Sequence, residues 1–258
     1  MKFLKDLQKI FYPRNLTCSV CSRENFNGKT VCDGCEAVLP KNDGNICDHC
    51  GRRTPFPVAY CDFCKGKSLH IDCMRSVFEY GEPISGMIRR LKYYGEKHLA
   101  EEFAQRMVRV YHRSLPTVDA VVCIPSSKAR IKMKGYNQSL LLAKEVAERL
   151  ELPLINALEK TKDTGSQVGL KREERRANLK GSFKVVERAK VKGKRILIVD
   201  DVVTTGTTLE IVAEKLKNEG ASEVYGIAVA SVTMSKIKTE QREPLDKIVD
   251  NDGKIERI

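Results

Sequence analysis

Four CxxC pairs near the start of the chain restrict its fold more than any other feature. Cys18 and Cys21 are followed by Cys32 and Cys35; Cys47 and Cys50 are followed by Cys61 and Cys64. Ten residues separate the two pairs in each half, so the layout is duplicated. Two residues between cysteines let one tight knuckle present both sulfurs to one metal, and four thiolates fill a tetrahedral zinc site with no open position. The pattern therefore predicts two structural zinc ions, bound sequentially. An iron–sulfur cluster, or a cross-braced arrangement of alternate pairs, uses the same residue types. Asn25, Asn27 and Gly28 suit the turn between knuckles. So small a module buries little apolar surface, and metal binding supplies its folding energy. His49 and His70 read as ordinary surface residues, and Cys73 and Cys123 as small buried hydrophobes.

Nine of the ten cysteines precede Met74, and beyond it the composition changes. Apolar runs at 120–124, 152–158, 195–199 and 222–230 read as strands, while 137–150 and 208–220 read as helices, the second ending at Gly220. Such alternation predicts an α/β fold: a parallel sheet with helices on both faces. The division expected is an amphipathic segment at 1–14, a double zinc-ribbon module at 15–75, an α/β domain at 76–232 and a charged tail at 233–258.

The third strand runs into "RILIVDDVVTTGTTLE" (195–210), in which two aspartates precede a turn of threonines around one glycine. In a parallel sheet, ligands bind at the carboxyl ends of strands. A Gly/Thr turn opening a helix offers backbone amides and hydroxyls to a phosphate. Thr207 and Glu210 fit a capping box, which places the helix start at Thr207. Asp200 and Asp201 would repel the phosphate and accept from sugar hydroxyls, a division of labour that suits a ribose 5-phosphate. No Gly-Lys-Thr follows, so this is not a Walker A loop.

The stretch resembles the phosphoribosyl pyrophosphate (PRPP) motif of type I phosphoribosyltransferases. Three further segments, "IPSSKARIKMKGYNQS", "DTGSQVGLKREERRANLKGSF" and "RRLKYYGEKHLAEEFAQRM", together with the double cysteine module, resemble the ComF family of bacterial competence proteins over about residues 18–230. The resemblance implies a zinc module on a type I phosphoribosyltransferase-like domain and a part in uptake of transforming DNA. It also implies PRPP, with magnesium, held by Asp200, Asp201, Val202, Val203, Thr204, Thr205, Gly206, Thr207 and Thr208. Ser126, Ser127, Lys128, Arg130 and Lys134 would form a pyrophosphate loop, with Lys132 as an ordinary surface cation or a further member. Lys92 and Arg175 match family cations, and Arg175 would close over the site in a catalytic role beside Asp200 and Asp201. Lys134 and Lys160 stand where the family usually has arginine, keeping the charge and losing a bidentate donor. The segment 74–115 is expected to form a helical hood over an acceptor of unstated identity, and whether turnover occurs is left open.

Forty-six basic against 34 acidic residues leave a net charge of +12, which favours anionic partners. Single-stranded DNA or DNA-uptake proteins are candidates, although an aromatic content of 6% offers few stacking platforms. A DNA surface would involve the pyrophosphate loop, or Arg52, Arg53, Lys65 and Lys67 of the zinc module. No apolar run approaches eighteen residues, and Lys5, Asp6, Gln8 and Lys9 interrupt the first segment, so neither a membrane span nor a signal peptide is expected. The expected location is the cytoplasm, where ten cysteines do not form disulfides.

Overall fold

The computed structural model describes residues 16–67, 69–162, 177–179 and 181–233, and the backbone of two short strands near the end of the chain. In chain order the elements are α1 (Asp33–Val38), β1 (Cys73–Glu79), α2 (Ile84–Tyr93), α3 (His98–Ser114), β2 (Ala120–Cys123), α4 (Lys128–Lys134), α5 (Gln138–Leu150), β3 (Leu154–Ile155), β4 (Leu158–Lys160), β5 (Phe183–Val185), α6 (Arg188–Val191), β6 (Arg195–Val203), α7 (Thr207–Asn218), β7 (Glu223–Ser231), β8 (Ile248–Val249) and β9 (Ile255–Glu256).

Five strands form one wholly parallel sheet in the order β1-β7-β6-β2-β3. Its central strands are near-continuous apolar runs because both faces are covered. Alternate residues of β6 serve opposite cores. Leu197 and Val199 pack with Leu99, Phe103 and Met107 of α3 and Leu142 and Val146 of α5, whereas Ile196 and Ile198 pack with Leu209, Val212 and Leu216 of α7. The expected strand at 152–158 divides: β3 joins the main sheet, and β4 pairs antiparallel with β5. The tail contributes a small antiparallel pair, β8 with β9.

The expected helical hood at 74–115 is corrected at its start. "CMRSVFE" is a seven-residue edge strand, β1, paired with β7 through Cys73↔Tyr225 to Glu79↔Ser231, so the sheet begins within the stretch assigned to the cysteine module. The free edge of β1 is strapped by the module. The Met74 amide donates to the His49 carbonyl at 2.7 Å, the Glu79 amide to Pro40 at 2.8 Å, and the Asn42 amide to Val77 at 2.9 Å. Gly51 allows this approach: its φ is +65°, and a Cβ there would lie 2.5 Å from the Met74 carbonyl oxygen. The buried Asn42 amide group donates to the Gly51 carbonyl at 2.7 Å and to Ser76 Oγ at 2.8 Å, and Ser76 Oγ donates to Ser231 Oγ at 2.8 Å.

The two ribbons attach to different faces of the sheet. The first joins the α2–α3 core: Arg90 donates to the Ser19 carbonyl at 2.7 Å, and Arg106 forks onto Glu36 at 3.0 and 2.7 Å. Cys47, Cys50, Cys61 and Cys64 of the second lie in the core on the α7 side.

Candidate functional site

The cysteine sulfurs gather sequentially. Those of Cys18, Cys21, Cys32 and Cys35 all lie within 4.8 Å of one another, as do those of Cys47, Cys50, Cys61 and Cys64. Zn–S bonds of about 2.3 Å in a tetrahedron place sulfurs about 3.8 Å apart. Cys21–Cys32, Cys50–Cys61 and Cys61–Cys64 stand at 3.9, 3.6 and 3.8 Å, so both donor sets fit zinc. Backbone amides point at the sulfurs, Cys32 N–H to Cys18 Sγ and Cys61 N–H to Cys47 Sγ, both at 3.3 Å, which favours thiolates. All four cysteines of the second set are buried, but only Cys18 of the first. Cys123 is buried as expected, whereas Cys73 is half-buried beside the Asp48 carbonyl.

The two aspartates occupy the carboxyl end of β6. Asp200 Oδ1 accepts from Ser139 Oγ at 2.8 Å and from the Asp201 amide at 2.9 Å. Burial, reinforced by the neighbouring Asp201 carboxylate, pushes the Asp200 carboxyl up to about 7 despite these donors. Asp201 is buried and pairs with Lys92 Nζ at 2.9 Å. Burial alone would lower the Lys92 ammonium; the carboxylates of Asp201 and Asp200 outweigh it and raise it to about 12. Lys92 thus reaches the acids, and its charge is engaged by Asp201.

The turn 204–206 passes from β6 to α7 through Gly206, whose φ is +77°. Thr205 and Thr207 share a hydrogen bond between their hydroxyls at 2.7 Å. The helix starts at Thr207 as expected, yet the capping box does not form. Gly206 is the N-cap and no side chain caps α7. The buried Glu210 turns instead to the module: its Oε2 accepts from the His70 amide at 2.8 Å, and its Oε1 lies 3.8 Å from His49 Nε2. His49 is correspondingly buried and stacks on Tyr60 with ring centroids 5.6 Å apart; neither it nor the half-buried His70 is an ordinary surface residue.

The expected pyrophosphate loop is the short helix α4 rather than a loop. The buried Ser127 caps it by accepting from the Arg130 amide at 3.3 Å, and Gly135, with φ +79°, ends it. Alanine, lysine and arginine are good helix formers, so a charged run here does not mean irregular backbone. Lys128 and Lys132 are exposed, Arg130 is half-buried, and Lys134 lies 4.4 Å from the centroid of Tyr93 on α2. Asn137 ties α4 and α5 to β2, donating to the Ile124 carbonyl at 2.9 Å and accepting from Ser126 Oγ and the Ser139 amide, both at 3.1 Å. Ser139 and Asn137, missed as site residues, lie in the motif "KGYNQS", where a hydroxyl in the first turn of a helix is the available signal. Arg175 lies outside the described residues. Arg52 is no part of an exposed basic surface, being 1% exposed. Arg53, Lys65 and Lys67 are exposed, Arg53 pairing with Glu79 at 3.0 Å.

Comparison with known proteins agrees with this architecture. The family described as a double zinc ribbon domain matches residues 7–65, and the phosphoribosyl transferase domain family matches residues 136–256. Competence protein F of Haemophilus influenzae is 30% identical, over 84% of this chain and 98% of its own. The DNA utilization protein YhgH of Escherichia coli K12 is 31% identical, over 80% of this chain and 86% of its own. Competence protein ComFC of Bacillus subtilis is 30% identical, over 74% of this chain and 79% of its own. Among the described residues no helix is long and apolar enough to cross a membrane.

Proposed function

This chain belongs to the ComF family of competence proteins, and on that premise we propose that it is a PRPP-binding, phosphoribosyltransferase-like protein acting in uptake of transforming DNA. One observation carries the ligand reading: two acids near the carboxyl end of a buried parallel strand stand two residues ahead of a glycine-pivoted turn and a helix start with no side-chain cap. The 5-phosphate is assigned to the amides and hydroxyls of residues 204–208, where the helix terminus favours an anion. The ribose hydroxyls are assigned to Asp200 and Asp201, with Ser139 and Lys92 fixing those carboxylates. Asp200 is then the group whose proton is displaced on ligand binding, because a neutral acid accepts poorly from a hydroxyl. The pyrophosphate is assigned to Lys128, Arg130 and Lys134 of α4 with Ser126 and Ser127, and Arg175 to closure over it.

The oxygen-rich acid pair also fits a hard cation. Magnesium would be held chiefly by the ligand's pyrophosphate and ribose hydroxyls, with few direct protein ligands beyond this acid pair, and would neutralise charge on the pyrophosphate. If transfer occurs, positive charge on the ribose ring would be stabilised by the same two carboxylates. A PRPP sensor would use identical contacts without turnover. Calorimetry with PRPP and magnesium tests the reading. The parent chain is expected to bind, and an Asp200→Ala/Asp201→Ala variant to lose about 3 kcal/mol or more from two charge-assisted hydrogen bonds. Equal affinities would refute the assignment of the acids, and assay for released pyrophosphate separates enzyme from sensor.

A further inference from the structure

The phosphate-binding turn is held from outside, by a residue of the second cysteine ribbon. Arg52, two positions after Cys50, is 1% exposed and among the largest fully buried side chains of the protein. Its Nη2 donates to the Thr204 carbonyl, 152 residues away in sequence. Its guanidinium carbon lies over the Phe63 ring, 4.5 Å from the centroid, and its Nη1 faces Cys50 Sγ at 3.9 Å. We propose that Arg52 is a positioning residue for this turn, and that through it the second ribbon sets the conformation of residues 204–208. The functional weight of the proposal rests on the reading of that turn as a phosphosugar cradle; its structural content does not.

Two features make the turn dependent on such a partner. A turn that presents amides to a ligand cannot spend them internally. The Thr207 amide has only a long contact of 3.4 Å to Thr205 Oγ1. Gly206 holds a left-handed conformation with Arg52 Nη2 3.9 Å from the place a Cβ would occupy. The turn is therefore fixed at its flanks: the Val232 amide donates to the Val203 carbonyl at 3.0 Å, and Arg52 donates to Thr204. The arginine has its own requirement, because a buried guanidinium needs compensating charge. Four thiolates around a divalent cation leave the second site anionic, directly beside Nη1. The metal site thus supports Arg52, and Arg52 supports the turn. Lysine cannot reproduce this, since a single ammonium does not stack on Phe63 while donating in two directions.

Native-state hydrogen exchange with peptide-level mass spectrometry tests the proposal without any ligand. In zinc-loaded Arg52→Met, amides of residues 204–208 are expected to exchange about tenfold faster or more, and in Arg52→Lys by an intermediate factor. A control peptide from β2 should stay within twofold of the parent, and zinc content should be unchanged. Exchange of residues 204–208 within twofold of the parent, in whichever variant folds, overturns the proposal. So does loss of both zinc and fold in the two variants alike, because Arg52 would then support the ribbon alone. Calorimetry on the same proteins, with PRPP and magnesium, should show about tenfold weaker binding by Arg52→Met. If the parent chain itself binds no PRPP, the ligand reading fails and the exchange result still decides the role of Arg52.

Discussion

Replacing Asp200 with asparagine should stabilise the ligand-free protein while damaging its site. Asparagine keeps an Oδ1 that can accept from Ser139 Oγ and the Asp201 amide, so the geometry survives and only the ionisation is removed. In the folded chain the Asp200 carboxyl is raised from 3.8 to about 7, first by burial and then by Asp201. A folded-state value above the unfolded one means that the native protein holds the proton more tightly. The associated stability is complete below about pH 4 and is lost as pH rises through about 7. At 1.36 kcal/mol per pH unit the full loss is about 4 kcal/mol. Asp200 is only half-buried and solvent screening reduces this, so about 2 kcal/mol is expected. Urea unfolding monitored by circular dichroism should place Asp200→Asn about 2 kcal/mol above the parent at pH 8. In a chain of this length that is roughly 4–8 °C in melting temperature. At pH 4.5, where the unfolded-state carboxyl is already mostly ionised, the gap should shrink to about 0.5 kcal/mol. A gap independent of pH, or a variant less stable than the parent at pH 8, would refute the reasoning. PRPP affinity of the same variant should fall about tenfold, since a charge-assisted acceptor has become a neutral one.

Metal analysis should give two zinc ions per chain, and a value near one, or an iron–sulfur absorption band, would exclude the assignment. Because the second cysteine set is wholly buried and the first is not, a chromogenic chelator should remove zinc in two phases, the fast one from the 18–35 set; a fast phase abolished by Cys47→Ser but not by Cys18→Ser would contradict this. Gly206→Val should weaken PRPP binding more than Thr208→Val in calorimetry, because valine at φ +77° is strained. If the exposed Lys128 and Lys132 contact single-stranded DNA, gel-shift affinity should fall with salt at a log–log slope of about −0.7 per phosphate, and saturating PRPP should weaken it. Salt-dependent binding indifferent to PRPP would move the DNA surface to Arg53, Lys65 and Lys67.

What could be read from the sequence were the features that repeat or alternate. The paired CxxC spacing foretold two separate sulfur clusters, and the apolar run of "RILIV" ending in two acids foretold both β6 and the position of the site. The central strands and the helices α5 and α7 were legible because burial on both sheet faces leaves so few polar residues in them. β1 was not: "CMRSVFE" alternates with charged residues as an edge strand does, and it abuts the cysteine module. Arg52, His49 and Glu210 were misread for one shared reason. A charged or polar side chain is ordinarily exposed, and what buries these three is a contact between segments some 150 residues apart. The capping box failed on the same interaction, since Glu210 is committed to the ribbon side instead of to its own helix.

The strap along β1 bears on how the protein can be divided. An edge strand with a bare row of amides and carbonyls is a template for pairing with another chain. Here the residues that occupy that row, Pro40, Asn42 and His49, lie between and within the ribbons. A fragment beginning after Cys64 would carry every candidate ligand-binding residue yet leave β1 unsheltered, and would tend to self-associate through it. The ribbons are thus part of the sheet's edge as well as metal sites, and the two regions cannot be separated without exposing β1.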